Sequence, residues 1–109
     1  MFLAMNRFKV KHGSEEEFEA VWRQRDSYLQ RVPGFVAFNL LRGPSKDDHT
    51  LYASHSVWRE RADFEAWTRS EEFRMAHRSA GGNKPLYIGH PEVELFESVI
   101  AQQAGEQAA

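Results

Sequence analysis

The chain has 109 residues, which fits one domain and leaves little room for two. Hydrophobic residues make up 41% and charged residues 28%, values of an ordinary globular protein, and a formal charge of −2 leaves no basic field to recruit nucleic acid or an anionic membrane. The absence of cysteine excludes disulfides, iron–sulfur clusters, thiolate-held metals and cysteine-rich zinc sites.

The N-terminal Met1 to Arg7 is too short an apolar run for a signal peptide and lacks a basic leader. No stretch approaches the roughly 20 apolar residues of a membrane span. The expected location is therefore cytoplasmic, with no membrane and no nucleic acid as partner.

Phe2 to Val10 alternates, with Phe2, Ala4, Asn6, Phe8 and Val10 on one face and Leu3, Met5, Arg7 and Lys9 on the other; period two predicts a strand. Lys11-His12-Gly13 ends it. Ser14 then offers an N-cap, Glu17 completes a capping box, and Glu15 to Glu17 suit the positive end of a helix dipole. Phe18, Val21, Trp22, Tyr28, Leu29 and Val32 follow at helical spacing until Pro33-Gly34, with Arg25 an oddity within the apolar stripe.

Phe35 to Leu41 is apolar on both faces apart from Asn39, as expected of a strand covered on both sides, with Phe35, Ala37 and Leu41 opposite Val36, Phe38 and Leu40. Gly43 to Asp48 is a turn-rich connector, and Leu51 to Trp58 alternates again, so the two strands predict a hairpin. Arg59 to Thr68 reads as a short helix turning Phe64 and Trp67 inward. Ser70 starts another, with Phe73 and His77 on one face at i, i+4 spacing. Ser79 to Pro91 is a Gly/Pro-rich loop, long enough to suggest function. Val93 to Ile100 is the last strand, and the Ala/Gln-rich tail 101–109 is expected to be disordered.

The order β-α-β-β-α-β is ferredoxin-like, an α+β fold with helices on one face of an antiparallel sheet, in a single domain spanning 1–100. The other face also needs covering. In so small a chain the simplest cover is a second copy, which predicts a homodimer with two sheets packed face to face, a dimeric α/β-barrel.

Three residues are unusual for their settings. Asn6 lies on an apolar strand face, where an amide is either satisfied by the backbone or water or held for a ligand. Trp67 is a large flat aromatic near the end of its helix, in ordinary terms a core residue. On one continuous helix it would stand roughly 80° from His77, but the break at Thr68-Arg69-Ser70 lets both aim into one cavity. His77, in the last turn of its helix, either meets solvent or serves as a neutral ligand to iron. His90 in the Gly-His-Pro loop is the rival ligand; His55 reads as structural, and His12 and His49 lie in turns. Arg25 could reach a carboxylate, although snorkelling to water also accounts for it. Asn6, Trp67 and His77 together supply a hydrogen-bond donor, a flat apolar surface and a metal ligand, a set suited to a flat iron-bearing macrocycle such as haem. Phosphate-cradle, nucleophile-elbow, zinc-protease and dinucleotide motifs are absent from the sequence.

The chain resembles the antibiotic-biosynthesis-monooxygenase superfamily and, within it, the IsdG-type haem-degrading monooxygenases. The resemblance rests on Phe2 to Phe8, Val32 to Phe35, Tyr52 to Trp58 and, above all, Asp63 to His77. Asn6, Trp67 and His77 match the haem-degrading branch residue by residue; Arg25 lies outside that motif. What the resemblance implies is a haem oxygenase for which haem is both substrate and cofactor. His77 ligates the iron, an external electron donor or reductase reduces it, Asn6 hydrogen-bonds the distal ligand or bound O2, and Trp67 forces the macrocycle out of plane. Ring cleavage then releases iron and an open-chain tetrapyrrole, in the service of iron acquisition. The same superfamily contains cofactor-free monooxygenases of quinols and polyketides, and a non-catalytic haem carrier is a third possibility.

Overall fold

The computed structural model describes residues 1–25, 28–77, 86–102 and 104, with the side chains of residues 76 and 77 outside that description. The elements are β1 (Phe2–Lys11), α1 (Glu15–Gln24), a 3-10 turn (Leu29–Arg31), β2 (Phe35–Ser45), β3 (His49–Trp58), α2 (Arg61–Thr68), α3 (Glu71–His77) and β4 (Glu92–Glu97). The strands form one antiparallel sheet in the order β2-β3-β1-β4, the ferredoxin-like arrangement expected from the element order. Among the described residues no helix is long and apolar enough to cross a membrane.

The alternation in β1 sets the two faces. Phe2, Phe8 and Val10 are buried toward the helices, and in the facing register of β3 so are Thr50, Tyr52, Ser56 and Trp58. Large side chains gather at the two ends of this face. Phe8, Val10, Phe18, Tyr52 and Leu86 form one core cluster, and Phe2, Leu29 and Trp58 form the other. Between them β1 and β3 carry only Ala4 and Asn6 opposite Ser56 and Ser54. Small residues in the middle of a face flanked by aromatics leave space, and this is what positions the site.

Four expectations are corrected. The first helix stops at Gln24 rather than running to Pro33: Arg25 is extended and Tyr28 is left-handed at φ 61°. The positions one turn after Trp22 are Arg25 and Asp26, so the apolar stripe breaks there and apolar packing does not support another turn. Ser14 makes no side-chain cap; instead the Glu15 carboxylate accepts from the Gly13 N–H at 2.8 Å and from the Thr50 hydroxyl at 2.8 Å. Its own backbone N–H, then Thr50, Gly13 and His12, hold the Glu15 carboxyl down at about 2. In β2 a bulge between Phe35 and Ala37 places Phe35 on the helix-covered face with Phe38 and Leu40, leaving Val36 as the extra residue. Finally, the segment read as one loop to Pro91 is pinned at its far end: Tyr87 bridges Val10, and the Lys11 and Ile88 N–H groups donate to Leu86 and Lys9 carbonyls at 2.9 and 2.8 Å. Residues 78–85 of that loop, and most of the tail expected to be disordered, lie outside the described residues.

Two contacts fix the helices over the sheet. The buried Tyr52 hydroxyl donates to Glu19 of α1 at 2.5 Å, and burial together with this carboxylate pushes the phenol up to about 12. Gly34, at φ 82°, lies so close to Asp63 of α2 that any Cβ there would collide with the carboxyl group, while its carbonyl accepts from the Arg59 N–H at 2.9 Å.

Candidate active site

The space between the two core clusters is a cavity of about 280 Å³ under the helices. Its floor is sheet: Ala4 and Asn6 of β1, with Ser54 and Ser56 of β3. One wall is Trp22, Arg25, Leu29 and Phe38; the other is Phe64, Trp67, Thr68 and Phe73. Each wall has a local cause. Termination of α1 after Gln24 leaves Trp22 and Arg25 at its open end, with the Arg25 guanidinium 4.3 Å above the Trp22 ring and Trp22 stacked on Phe38 at 5.7 Å. Opposite, the break between α2 and α3 is shaped by Ser70, whose hydroxyl donates to the Trp67 carbonyl at 2.6 Å and accepts from the Phe73 N–H at 3.1 Å, an N-cap as expected. That turn folds Phe73 edge-on against Trp67 at 4.8 Å, and Trp67 also packs on Trp58 at 5.4 Å.

The cavity therefore brings together Asn6, Arg25 and Trp67. Asn6 Oδ1 is buried with no hydrogen-bond partner among the described residues. An unsatisfied buried acceptor costs about 1–3 kcal/mol, a strain that persists where a polar group is kept for a ligand or water. Burial pulls the Arg25 guanidinium's pKa down, since the pocket disfavours its charge. His77 is the C-terminal residue of α3, the helix that also carries Phe73; its side chain lies outside the described residues.

The other histidines sit elsewhere. His90 lines a separate depression with Arg7, Lys9 and Leu51, on the sheet face turned away from the helices. His55 is on that same face, opposite Met5 and Asn39. His12 Nε2 is 2.7 Å from the Lys46 carbonyl oxygen, and His49 Nδ1 is 2.6 Å from Asp48. Among the described residues no group of three or more His, Asp or Glu could hold a metal ion.

Sequence reasoning singled out Asn6 and Trp67 but missed Ser54 and Ser56. The available signal was their i, i+2 spacing on the face that also carries Tyr52 and Trp58: small polar residues between large buried ones mark a gap. In a largely apolar pocket with few polar groups, the arrangement can bind a flat, largely apolar molecule and offer it one amide.

Residues 1–79 match the family model described as antibiotic biosynthesis monooxygenase. A haem-degrading monooxygenase of Shouchella clausii is 32% identical, covering 99% of both chains. Among solved structures, a variant of MhuD, the haem degrader of Mycobacterium tuberculosis, with two manganese protoporphyrin IX bound per active site is 27% identical with a TM-score of 0.75, covering 95% of this chain and 100% of that one. SnoaB, a cofactor-independent oxygenase from Streptomyces nogalater, is 30% identical with a TM-score of 0.67, covering 96% and 97%.

Proposed function

The chain belongs to the antibiotic biosynthesis monooxygenase family, and from that premise we propose that it is a haem-degrading monooxygenase, opening the porphyrin with O2 and electrons from an external donor to release iron and an open-chain tetrapyrrole. The observation that carries this reading is the Asn6 amide, whose buried Oδ1 has no partner among the described residues, in a cavity lined also by Trp22, Phe38, Phe64, Trp67 and Phe73. The 32% identity to a relative named for haem degradation supports it.

The residues present fit the group. Rings of Trp22, Phe38, Phe64, Trp67 and Phe73 offer apolar surface to a macrocycle, and the Arg25 guanidinium in the wall suits a propionate. The cavity of about 280 Å³ lies just below the usual range of ligand sites, about 300 to 1,000 Å³. Bound haem supplies both the redox-active iron that handles O2 and the ring that is cleaved.

The protein's own part is positioning. His77 would hold the iron from the end of α3, in the neutral imidazole form. Asn6 would present its amide N–H into the cavity, where a hydrogen bond to bound O2 would be stronger than in water. Trp67 is braced by Trp58 and Phe73, so its indole would meet a bound macrocycle as a fixed apolar surface.

A second reading, a cofactor-free oxygenase of an aromatic organic substrate, is favoured by the 30% identity to SnoaB. Haem dependence separates the two: anaerobic reduction with haem present, followed by O2, leads to Soret decay only in the first.

The proposal includes a homodimer. The uncovered sheet face carries Leu3, Met5, Leu51 and Val57, with Leu41 and Phe96 exposed at 42% and 50%. Exposed apolar residues gathered on one sheet face mark an interaction surface. Light scattering at micromolar concentration should give twice the chain mass; a monomer would contradict the assembly.

A further inference from the structure

Trp22 and Phe38, which wall the cavity, also line a second pocket of about 310 Å³, together with Glu19 and Arg23 of α1, Arg42 of β2 and Tyr52 of β3. The two shared rings lie nearly parallel, 20° apart in plane with centroids at 5.7 Å. Where the two spaces meet, the boundary is therefore made of side chains and not of backbone. Trp22 sits in the last turn of α1, which ends at Gln24 before the extended Arg25. A helix end is the part that frays first, so one ring of the stack stands on a yielding support.

Size and charge both suit a single ligand that spans the two spaces. The inner cavity falls just short of the usual range of about 300 to 1,000 Å³, and the two joined fall well inside it. The inner one is walled by aromatic rings, whereas the outer one carries charge. There the Glu19 carboxylate accepts from the Tyr52 hydroxyl at 2.5 Å and from Arg23 at 3.0 Å, and the Arg42 guanidinium lies 3.4 Å away. Two guanidiniums against one carboxylate leave a positive charge in excess among the residues lining this pocket. Both arginine side chains are largely exposed, at 73% and 65%, and exposed ion pairs are weak, so either can turn from Glu19 to another carboxylate. A planar apolar body with an acidic edge matches this division of surface.

We propose that the outer pocket is the second half of the binding site: the Trp22–Phe38 stack parts to join the two spaces, and Arg23 and Arg42 seat a carboxylate of a planar ligand whose apolar body occupies the inner cavity. That the ligand is a porphyrin rests on the function proposed above; the movable partition does not.

The first measurement needs no ligand. In protein labelled with 5-fluorotryptophan, with resonances assigned by Trp22→Phe, 19F relaxation dispersion should show Trp22 exchanging on the microsecond-to-millisecond scale while the fully buried Trp58 stays flat. A flat profile for Trp22 overturns the partition.

The second measurement titrates zinc protoporphyrin IX, whose metal does not change oxidation state, and its dimethyl ester, which lacks the carboxylates. The double variant Arg23→Gln/Arg42→Gln should bind the diacid roughly 10-fold more weakly, the loss of one charge-assisted contact, and the ester as tightly as wild type does. Arg42→Lys in place of Arg42→Gln should recover most of the loss. Equal affinities of wild type and double variant for the diacid, or equal losses for diacid and ester, overturn the carboxylate seat and leave the haem reading standing. A wild type that binds neither porphyrin overturns both.

Discussion

Replacing His77 by alanine is expected to weaken haem binding by roughly 100-fold, the loss of about 3 kcal/mol of iron–imidazole interaction, and to move the Soret band. The expectation rests on placement: His77 ends α3, the helix whose Phe73 already forms the cavity wall with Trp67. The control is His90→Ala, which should leave spectrum and affinity unchanged because His90 lies with Arg7 and Lys9 on the other sheet face. His12 and His49 are engaged by Lys46 and Asp48 and offer no substitute. An unchanged spectrum and affinity in His77→Ala would remove it as the ligand.

Asn6→Ala should have the opposite profile. Haem should still bind, because the aromatic rings and His77 would supply most of the contact, and removal of one unsatisfied polar atom relieves the floor. Ring cleavage should fall by roughly 100-fold, the usual effect of deleting one preorganised donor from a water-poor site. Single-turnover Soret decay in air, after reduction, separates the two quantities. Wild-type decay in this variant would take Asn6 out of the mechanism.

The sequence carried the fold because its signals are local and periodic. The alternation of Phe2 to Val10 has period two, and β1 follows it with Phe2, Phe8 and Val10 buried. The Ser70 cap was legible because a hydroxyl just ahead of two glutamates has one obvious local use, and Phe73 N–H takes it. The break after Gln24 and the bulge at Val36 were not, since both depend on what the rest of the fold can bury. A helical stripe with Arg25 in it reads as a helix with a flaw, when the flaw is the end of the helix and the start of the cavity wall.

The site was legible in part. Asn6 is conspicuous because it is polar in an apolar row. Ser54 and Ser56 are not, because serine in a strand is unremarkable until the register sets it opposite Asn6 and Ala4. The cavity is a property of that register: four small residues meet where each end of the same face is filled by aromatic rings. Neither strand alone predicts a gap, and the pairing of the two creates it.

The most direct measurement is turnover of haem by the purified protein with O2, an electron donor and catalase to remove peroxide, followed by mass spectrometry of the products and a colorimetric assay for iron. The proposed function requires decay of the Soret band, stoichiometric release of iron and an open-chain tetrapyrrole. A Soret band that stays intact under these conditions would contradict it.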